Sequence, residues 1–173
     1  MKISDIAYVA GLFDGEGYVD IYSASTSKKS KSPSLMLRVI ISQKDGSVMN
    51  WLDKTFGGYV RMERRKESWI YRWELKSQKA KNFLKLILPY LKIKHAQATL
   101  AIEFEEVKGQ YLETLKGSKG FRQLTKNEIG KRMEIKNRLK NIKKTYGFYM
   151  KTVHVSTPTT TKRENIHQDD AIV

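Results

Sequence analysis

The residues best suited to chemistry lie close together near the N-terminus, in the stretch VAGLFDGEG from Val9 to Gly17. Two acids, Asp14 and Glu16, alternate there with Gly15 and Gly17. The apolar run from Ile6 to Phe13 reads as a short helix ending near Asp14 or Gly15, so both acids fall at its C-terminal end. Exposed carbonyls make that end negative, and a carboxylate there is disfavoured by about 0.3–1 kcal/mol. A bound cation would offset the cost. Hard divalent cations such as Mg²⁺ take carboxylates, backbone carbonyls, water and phosphates as ligands. Glycines let the backbone turn sharply and present a carbonyl. A Gly-rich turn with solvated acids fits the same residues. An EF-hand loop does not: with Asp14 as its first position, the twelfth is Ser25 and not Glu.

On the same helix, Ala7, Ala10, Gly11 and Asp14 share one face at i, i+3, i+4, i+7 spacing. Three of the four are small, which lets another backbone approach closely. Ile6, Val9, Leu12 and Phe13 point elsewhere, toward the chain's own core.

The elements around this stretch follow from periodicity. From Gly17 the period is two, with Val19 and Ile21 alternating with Tyr18, Asp20 and Tyr22. Residues 23–34, SASTSKKSKSPS, form a polar loop. Alternation returns over 35–42, with Leu35, Leu37, Val39 and Ile41 on one face and Met36, Arg38, Ile40 and Ser42 on the other. A helix is predicted over 46–56 and ends at Gly57-Gly58. Two strands follow at 58–65 and 69–76. Val60, Met62, Tyr71, Trp73 and Leu75 are expected on the core side. Arg61, Glu63, Arg65, Arg72, Glu74 and Lys76 take the other. Helices are predicted over 78–91 and 94–115. The basic segment 119–151 carries an apolar stripe of Leu124, Ile129, Met133, Ile135, Leu139 and Ile142. The polar tail from Thr152 reads as flexible, which divides the chain into one domain, 1–150, and a tail, 151–173. The fold class is α+β: four strands in an antiparallel or mixed sheet, covered by helices on one side.

Charge then narrows the partner. The chain has 173 residues, with 33 Lys and Arg against 18 Asp and Glu, a net charge of +15. Such an excess points to a polyanion, nucleic acid before membrane surface. Cysteine is absent, which excludes disulfides, thiolate chemistry and Cys-ligated zinc or iron–sulfur centres. Three histidines are too few and scattered for a His-rich metal centre. No run approaches the roughly 20 apolar residues of a membrane span. The first residues do not read as a targeting peptide. An intracellular protein of the cytoplasm, nucleoid or an organelle matrix is expected, not a secreted one.

VAGLFDGEG, followed by the strand Gly-Tyr-Val-Asp-Ile-Tyr, closely resembles the LAGLIDADG motif of homing endonucleases. ISQKDGSV at 41–48, GGYVRM at 57–62 and NFLKLILPYLKIKHAQA at 82–98 resemble the family's later landmarks in the same order. The resemblance covers about residues 5 to 115. It implies an αββαββα core whose sheet forms a saddle on the DNA major groove, followed by C-terminal helices. One motif copy implies a homodimer, with the helices crossing through Ala7, Ala10, Gly11 and Asp14. By position, Glu16 corresponds to the metal-binding acid and Gly15 to a carbonyl beside the metal. Gln43 and Lys94 correspond to polar residues around the attacking water and scissile phosphate. Two positions depart from the pattern. Glu16 stands where Asp is commoner, and Ser47 stands where some relatives carry a basic residue.

The implied activity is site-specific cleavage of double-stranded DNA with Mg²⁺ or another divalent cation such as Mn²⁺. Ca²⁺ is expected to bind without supporting efficient cleavage. Arg38, Arg61, Arg65 and Arg72 suit guanine edges, with Tyr18, Asp20, Tyr22, Glu74 and Lys76 adding base or water-mediated contacts. Lys28, Lys29 and Lys31 suit phosphates. A ten-residue strand spans about 33 Å and DNA rises about 3.4 Å per pair. A subunit therefore covers about ten pairs and a dimer about twenty, in a pseudo-palindromic target cut with a stagger. An intron-encoded form is expected from a free-standing chain beginning at Met1. An RNA-binding maturase and a non-cleaving DNA-binding regulator share the scaffold and the charge.

Overall fold

The computed structural model describes residues 1–24, 34–113 and 124–155. Lys28, Lys29 and Lys31, assigned to the polar loop, lie outside these residues, as does the chain beyond 155. The element order is α1 (Ile3–Glu16), β1 (Gly17–Ala24), β2 (Ser34–Gln43), α2 (Gly46–Phe56), β3 (Tyr59–Arg65), β4 (Ser68–Lys76), α3 (Ser77–Ile87), α4 (His95–Glu113) and α5 (Lys126–Val155). The four strands form one antiparallel sheet in the order β1-β2-β4-β3.

Alternation explains the sheet's two faces. Val19, Ile21, Leu35, Leu37, Val39, Ile41, Trp73 and Leu75 are buried on the inner face against the helices. They pack with Val9 and Phe13 of α1, Met49 and Leu52 of α2, and Phe83 and Leu84 of α3. Phe13, Phe56 and Trp73 each meet Phe83 edge-on at centroid separations of 5.1–6.0 Å, a favoured aromatic geometry. The Gly57-Gly58 turn is built around that cluster. Trp73 Nε1 donates to the Gly57 carbonyl at 2.9 Å. Both glycines have positive φ, 67° and 126°, and a Cβ on Gly58 would lie 2.8 Å from Trp73 Nε1 and the Glu74 carbonyl. Only glycine fits both demands there.

Several boundaries and faces differ from expectation. Helix α1 begins at Ile3, and Asp5 sits in its first turn, accepting the Lys2 backbone N–H at 3.1 Å. The predicted helix 78–91 ends at Ile87 and passes into a 3₁₀ turn, Leu88–Tyr90. Pro89 cannot donate a helical hydrogen bond, which explains the stop. Met62 is not in the core. It lies on the edge strand β3, where only Val60 on the helix side packs against the core, and is 52% exposed. Tyr71, also expected inside, is half-buried and closes over the start of α2, where a Cβ on Gly46 would meet its ring at 2.8 Å.

At the other end of the chain, α5 packs along α4. Thr125 and Glu128 form a capping box, each side chain accepting the other's backbone N–H at 2.7 and 3.2 Å. Ile135 and Leu139 are buried in the contact, whereas Met133, assigned to the same stripe, faces outward. The helix runs unbroken to Val155, across the position assigned to the start of the tail.

Candidate active site and nucleic-acid interface

The sequence motif ends where α1 meets the start of α4. Asp14 is buried and its carboxylate accepts three backbone N–H groups, from Lys92 at 2.7 Å, Ile93 at 3.2 Å and Lys94 at 2.8 Å. These amides, and not a cation, offset the cost of a carboxylate at the helix end. The Lys94 ammonium in turn donates to the Asp14 backbone carbonyl. Lys94 is thus held at both its backbone and its side chain. It also starts α4, its carbonyl accepting the Ala98 N–H at 2.9 Å. Burial pushes the Lys94 amine below its ordinary value, while the charges of Asp14 and Glu16 pull it back up.

Glu16, the last residue of α1, is exposed and makes no hydrogen bond or ion pair among the described residues. Gly17 follows because nothing larger fits: a Cβ there would lie 2.2 Å from the Phe13 ring and 2.4 Å from its carbonyl. Gly15 has open space on its Cβ side. Gly17 pairs with Ile41, two residues before Gln43 at the end of β2. Glu16 and Gln43 therefore lie at the same end of the sheet, and the Asp14 link brings Lys94 to that corner.

The expected small-residue face of α1 is divided. Ala7 and Gly11 are exposed beside Ile3 and Tyr8, and a Cβ on Gly11 meets nothing within 4 Å. Ala10 and Asp14 turn inward and are buried within the chain itself. The packing of the 91–94 turn against this flank of α1 is the reason.

The sheet's outer face carries every described residue assigned to DNA contact. Register places them in rows: Asp20, Arg38 and Lys76; Tyr18, Ile40, Glu74 and Tyr59; Ser42, Arg72 and Arg61. Tyr22 lies opposite Met36, and Arg65 opposite Ser68 at the end of the β3–β4 hairpin. Arg38 pairs with Asp20 at 3.1 Å and stacks over the Tyr22 ring at 4.4 Å. Arg72 lies 3.3 Å from Glu63 and 3.9 Å from Glu74, and Lys76 lies 3.2 Å from Glu74. The face is a ladder of alternating charge rather than a bare cationic surface.

Sequence reading missed three features of this surface. Ile40 is 5% exposed although it lies outside the main core, walled by its neighbours on the outer face. Glu63 joins two arginines. A groove of about 470 Å³ runs between β1 and α5, lined by Tyr18, Asp20, Ile21, Leu139 and four lysines, Lys136, Lys140, Lys143 and Lys144. Lys143 donates to the Val19 carbonyl and sits 4.0 Å from the centre of the Tyr18 ring. Burial lowers its amine, Asp20 raises it and Arg38 lowers it further. Burial also raises the Tyr18 hydroxyl, helped by Asp20 and opposed by Arg38 and Arg72. The lysine spacing at 136, 140 and 143, one position from the apolar 135, 139 and 142, was the legible signal.

Comparison with known proteins identifies the family and the fold. The family of LAGLIDADG endonucleases matches residues 9–108. The chain belongs to that family, and the αββαββα core and exposed sheet are its fold. The homing endonuclease I-TnaI is 21% identical, with 82% of this chain and 97% of that one covered at a TM-score of 0.56. I-CvuI, solved in complex with its target in the presence of 2 mM Ca, is 18% identical over 79% of this chain and 94% of its own at 0.54. The meganuclease I-SmaMI, solved bound to uncleaveable DNA, is 16% identical; 78% of this chain matches only 44% of that one, at 0.61. Among curated proteins, no sequence matches. No helix among the described residues is long and apolar enough to cross a membrane.

Proposed function

We propose that the chain is a homodimeric, divalent-metal-dependent endonuclease that lays its open sheet along a pseudo-palindromic DNA target of about 20 base pairs. Each subunit cuts one strand, leaving a staggered break. The observation that carries this reading is the corner formed by Glu16, Gln43 and Lys94. An exposed carboxylate and a half-buried, doubly anchored ammonium lie there at the same end of the sheet as a strand-end amide.

The residues fit a shared metal better than a private one. Among the described residues, no three His, Asp or Glu side chains cluster closely enough to hold an ion. At this corner, among the described residues, one chain offers the unpaired carboxylate of Glu16, with the Gly15 carbonyl beside it. Two chains crossing through the outward Ala7–Gly11 side of α1 would bring two such carboxylates together, and like charges at close range favour a cation between them. When bound, Mg²⁺ or Mn²⁺ supplies an acidified water and neutralises charge on the phosphate. Gln43 orients the water by hydrogen bonding. Lys94 meets negative charge developing on the phosphate, and it costs little reorganisation because Asp14 already fixes it. Arg38, Arg61, Arg65 and Arg72 read base edges, with Tyr18, Asp20, Tyr22, Glu74 and Lys76 beside them, and Lys28, Lys29 and Lys31 take phosphates. The gene is read as intron-encoded.

The test is cleavage of a plasmid library of random targets in Mg²⁺. Native protein should cut a discrete subset, whereas Glu16→Gln should bind the recovered target within about tenfold of native in Ca²⁺ and cut none of it. Native-rate cutting by Glu16→Gln would show that Glu16 is not the metal ligand. Tight binding of structured RNA with no DNA cut by native protein would favour the maturase reading.

A further inference from the structure

The outer face of the sheet contains an arrangement that position in the strands alone does not account for. Arg61 and Arg72 are direct cross-strand partners. Like charges facing each other across an antiparallel pair are destabilising unless something lies between them. Glu63 fills that role. It projects from the same face two residues along β3, and a single oxygen, Oε1, lies 2.5 Å from Arg61 Nη2 and 3.3 Å from Arg72 Nη1. The other fork of Arg72, Nη2, is drawn toward Glu74 at 3.9 Å. Glu74 is itself 8% exposed and held beneath Lys76. Arg72 is therefore clamped between two acids with its side chain 14% exposed, while Arg61 hangs from Glu63 alone and is 41% exposed.

We propose that Glu63 is a specificity-determining positioning residue: it sets the aim of Arg61 and Arg72 and makes their patch select a G·C pair in each half-site. This rests on the reading of the sheet as a DNA-binding face. The chemistry is complementary on both strands of one pair. A guanidinium donates to guanine O6 and N7, and a carboxylate beside it accepts from the N4 amino group of the paired cytosine. Thymine presents O4, an acceptor that the carboxylate repels, and adenine presents an amino group to the arginine. An arginine without the acid keeps its attraction to any phosphate or guanine but loses the penalty against wrong pairs. Fixing the fork before binding also reduces the side-chain entropy lost on the base.

Glu63 therefore lowers overall attraction to a polyanion and raises discrimination, and those opposite signs separate a positioning role from a structural one. The experiment is binding selection from a randomised duplex library in Ca²⁺ with native chain, Glu63→Gln and Arg72→Gln, alongside affinity for an unrelated duplex. Native protein should enrich symmetric G·C positions. Glu63→Gln should lose about tenfold or more of the preference at one such position per half-site, while its affinity for the unrelated duplex is equal or higher. Arg72→Gln should lose the same position and bind the unrelated duplex more weakly. Unchanged base preferences in Glu63→Gln at every position would overturn the proposal and leave the DNA reading intact. Loss of both affinities together would also overturn it, since that marks a structural role. A native chain that enriches no sequence would overturn the DNA-face reading and this proposal with it.

Discussion

At the residue scale, Asp14 shows how one carboxylate can be claimed by two chemistries. Its place at a helix C-terminus makes it a candidate for a cation or for a subunit contact. The fold instead gives it three backbone amides from the 92–94 turn. Asp14 is thereby committed within the chain and becomes the post on which Lys94 is mounted, whereas Glu16 is left exposed. Asp14→Asn keeps the size but turns one oxygen into an amide NH2, a donor that faces a backbone N–H donor. Hydrogen bonds to a charged partner contribute about 1.5–3 kcal/mol each, and an opposed buried donor adds its own cost. Urea unfolding should therefore show a loss of about 2–3 kcal/mol. A loss below about 0.5 kcal/mol, the range of ordinary surface changes, would mean that the turn is held by other contacts.

At the element scale, α1 serves two sides. Val9, Ala10, Phe13 and Asp14 bury one flank in the chain's own core, and Ile3, Ala7, Tyr8 and Gly11 leave the other exposed. Glycine within a helix costs about 0.8–1 kcal/mol relative to alanine. Nothing inside this chain requires it at Gly11, where a Cβ would find open space. In the proposed homodimer, close approach of a second α1 would supply the reason. Gly11→Leu should consequently keep the subunit folded, as judged by circular dichroism, and move it from dimer to monomer in sedimentation at micromolar concentration. Native protein sedimenting as a monomer with and without DNA, or an undiminished dimer in the variant, would sink this account of α1.

At the scale of the whole molecule, the net charge of +15 is distributed unevenly in function. On the sheet's outer face, Arg38, Arg61 and Arg72 are matched by Asp20, Glu63 and Glu74, which tempers that surface's attraction for a polyanion. The α5 side of the groove carries four lysines, faced by Asp20 of β1. Among the described residues, this lysine cluster puts unmatched positive charge beside the proposed reading face. A protein neutralising six to ten phosphates loses about 10³–10⁵ in affinity between 50 and 200 mM salt. Binding of the recovered target should fall by at least about 10³ over that range, measured by fluorescence anisotropy in Ca²⁺. A fall of less than about tenfold would mean that few phosphates are engaged.

Much of this architecture is legible without coordinates, because strand and helix periods report directly which side of an element is apolar. Val19 and Ile21, the alternating Leu37, Val39 and Ile41, and the Gly57-Gly58 stop all read correctly, and the motif with its ordered landmarks marks the family. Periodicity is local, however, and says nothing of which element closes over which. Met62 alternates like a core residue, on the same face as Val60, yet stays exposed because it lies on the sheet's edge strand. Asp14 finds its partners 78 to 80 residues away, and Lys143 reaches Val19 across 124. Glu63 becomes the hinge of an arginine pair only through the β3–β4 register. Types and spacings determine what each side chain can do; long-range closure decides what it meets. A carboxylate can hold a cation, cap a turn or aim an arginine with the same two oxygens.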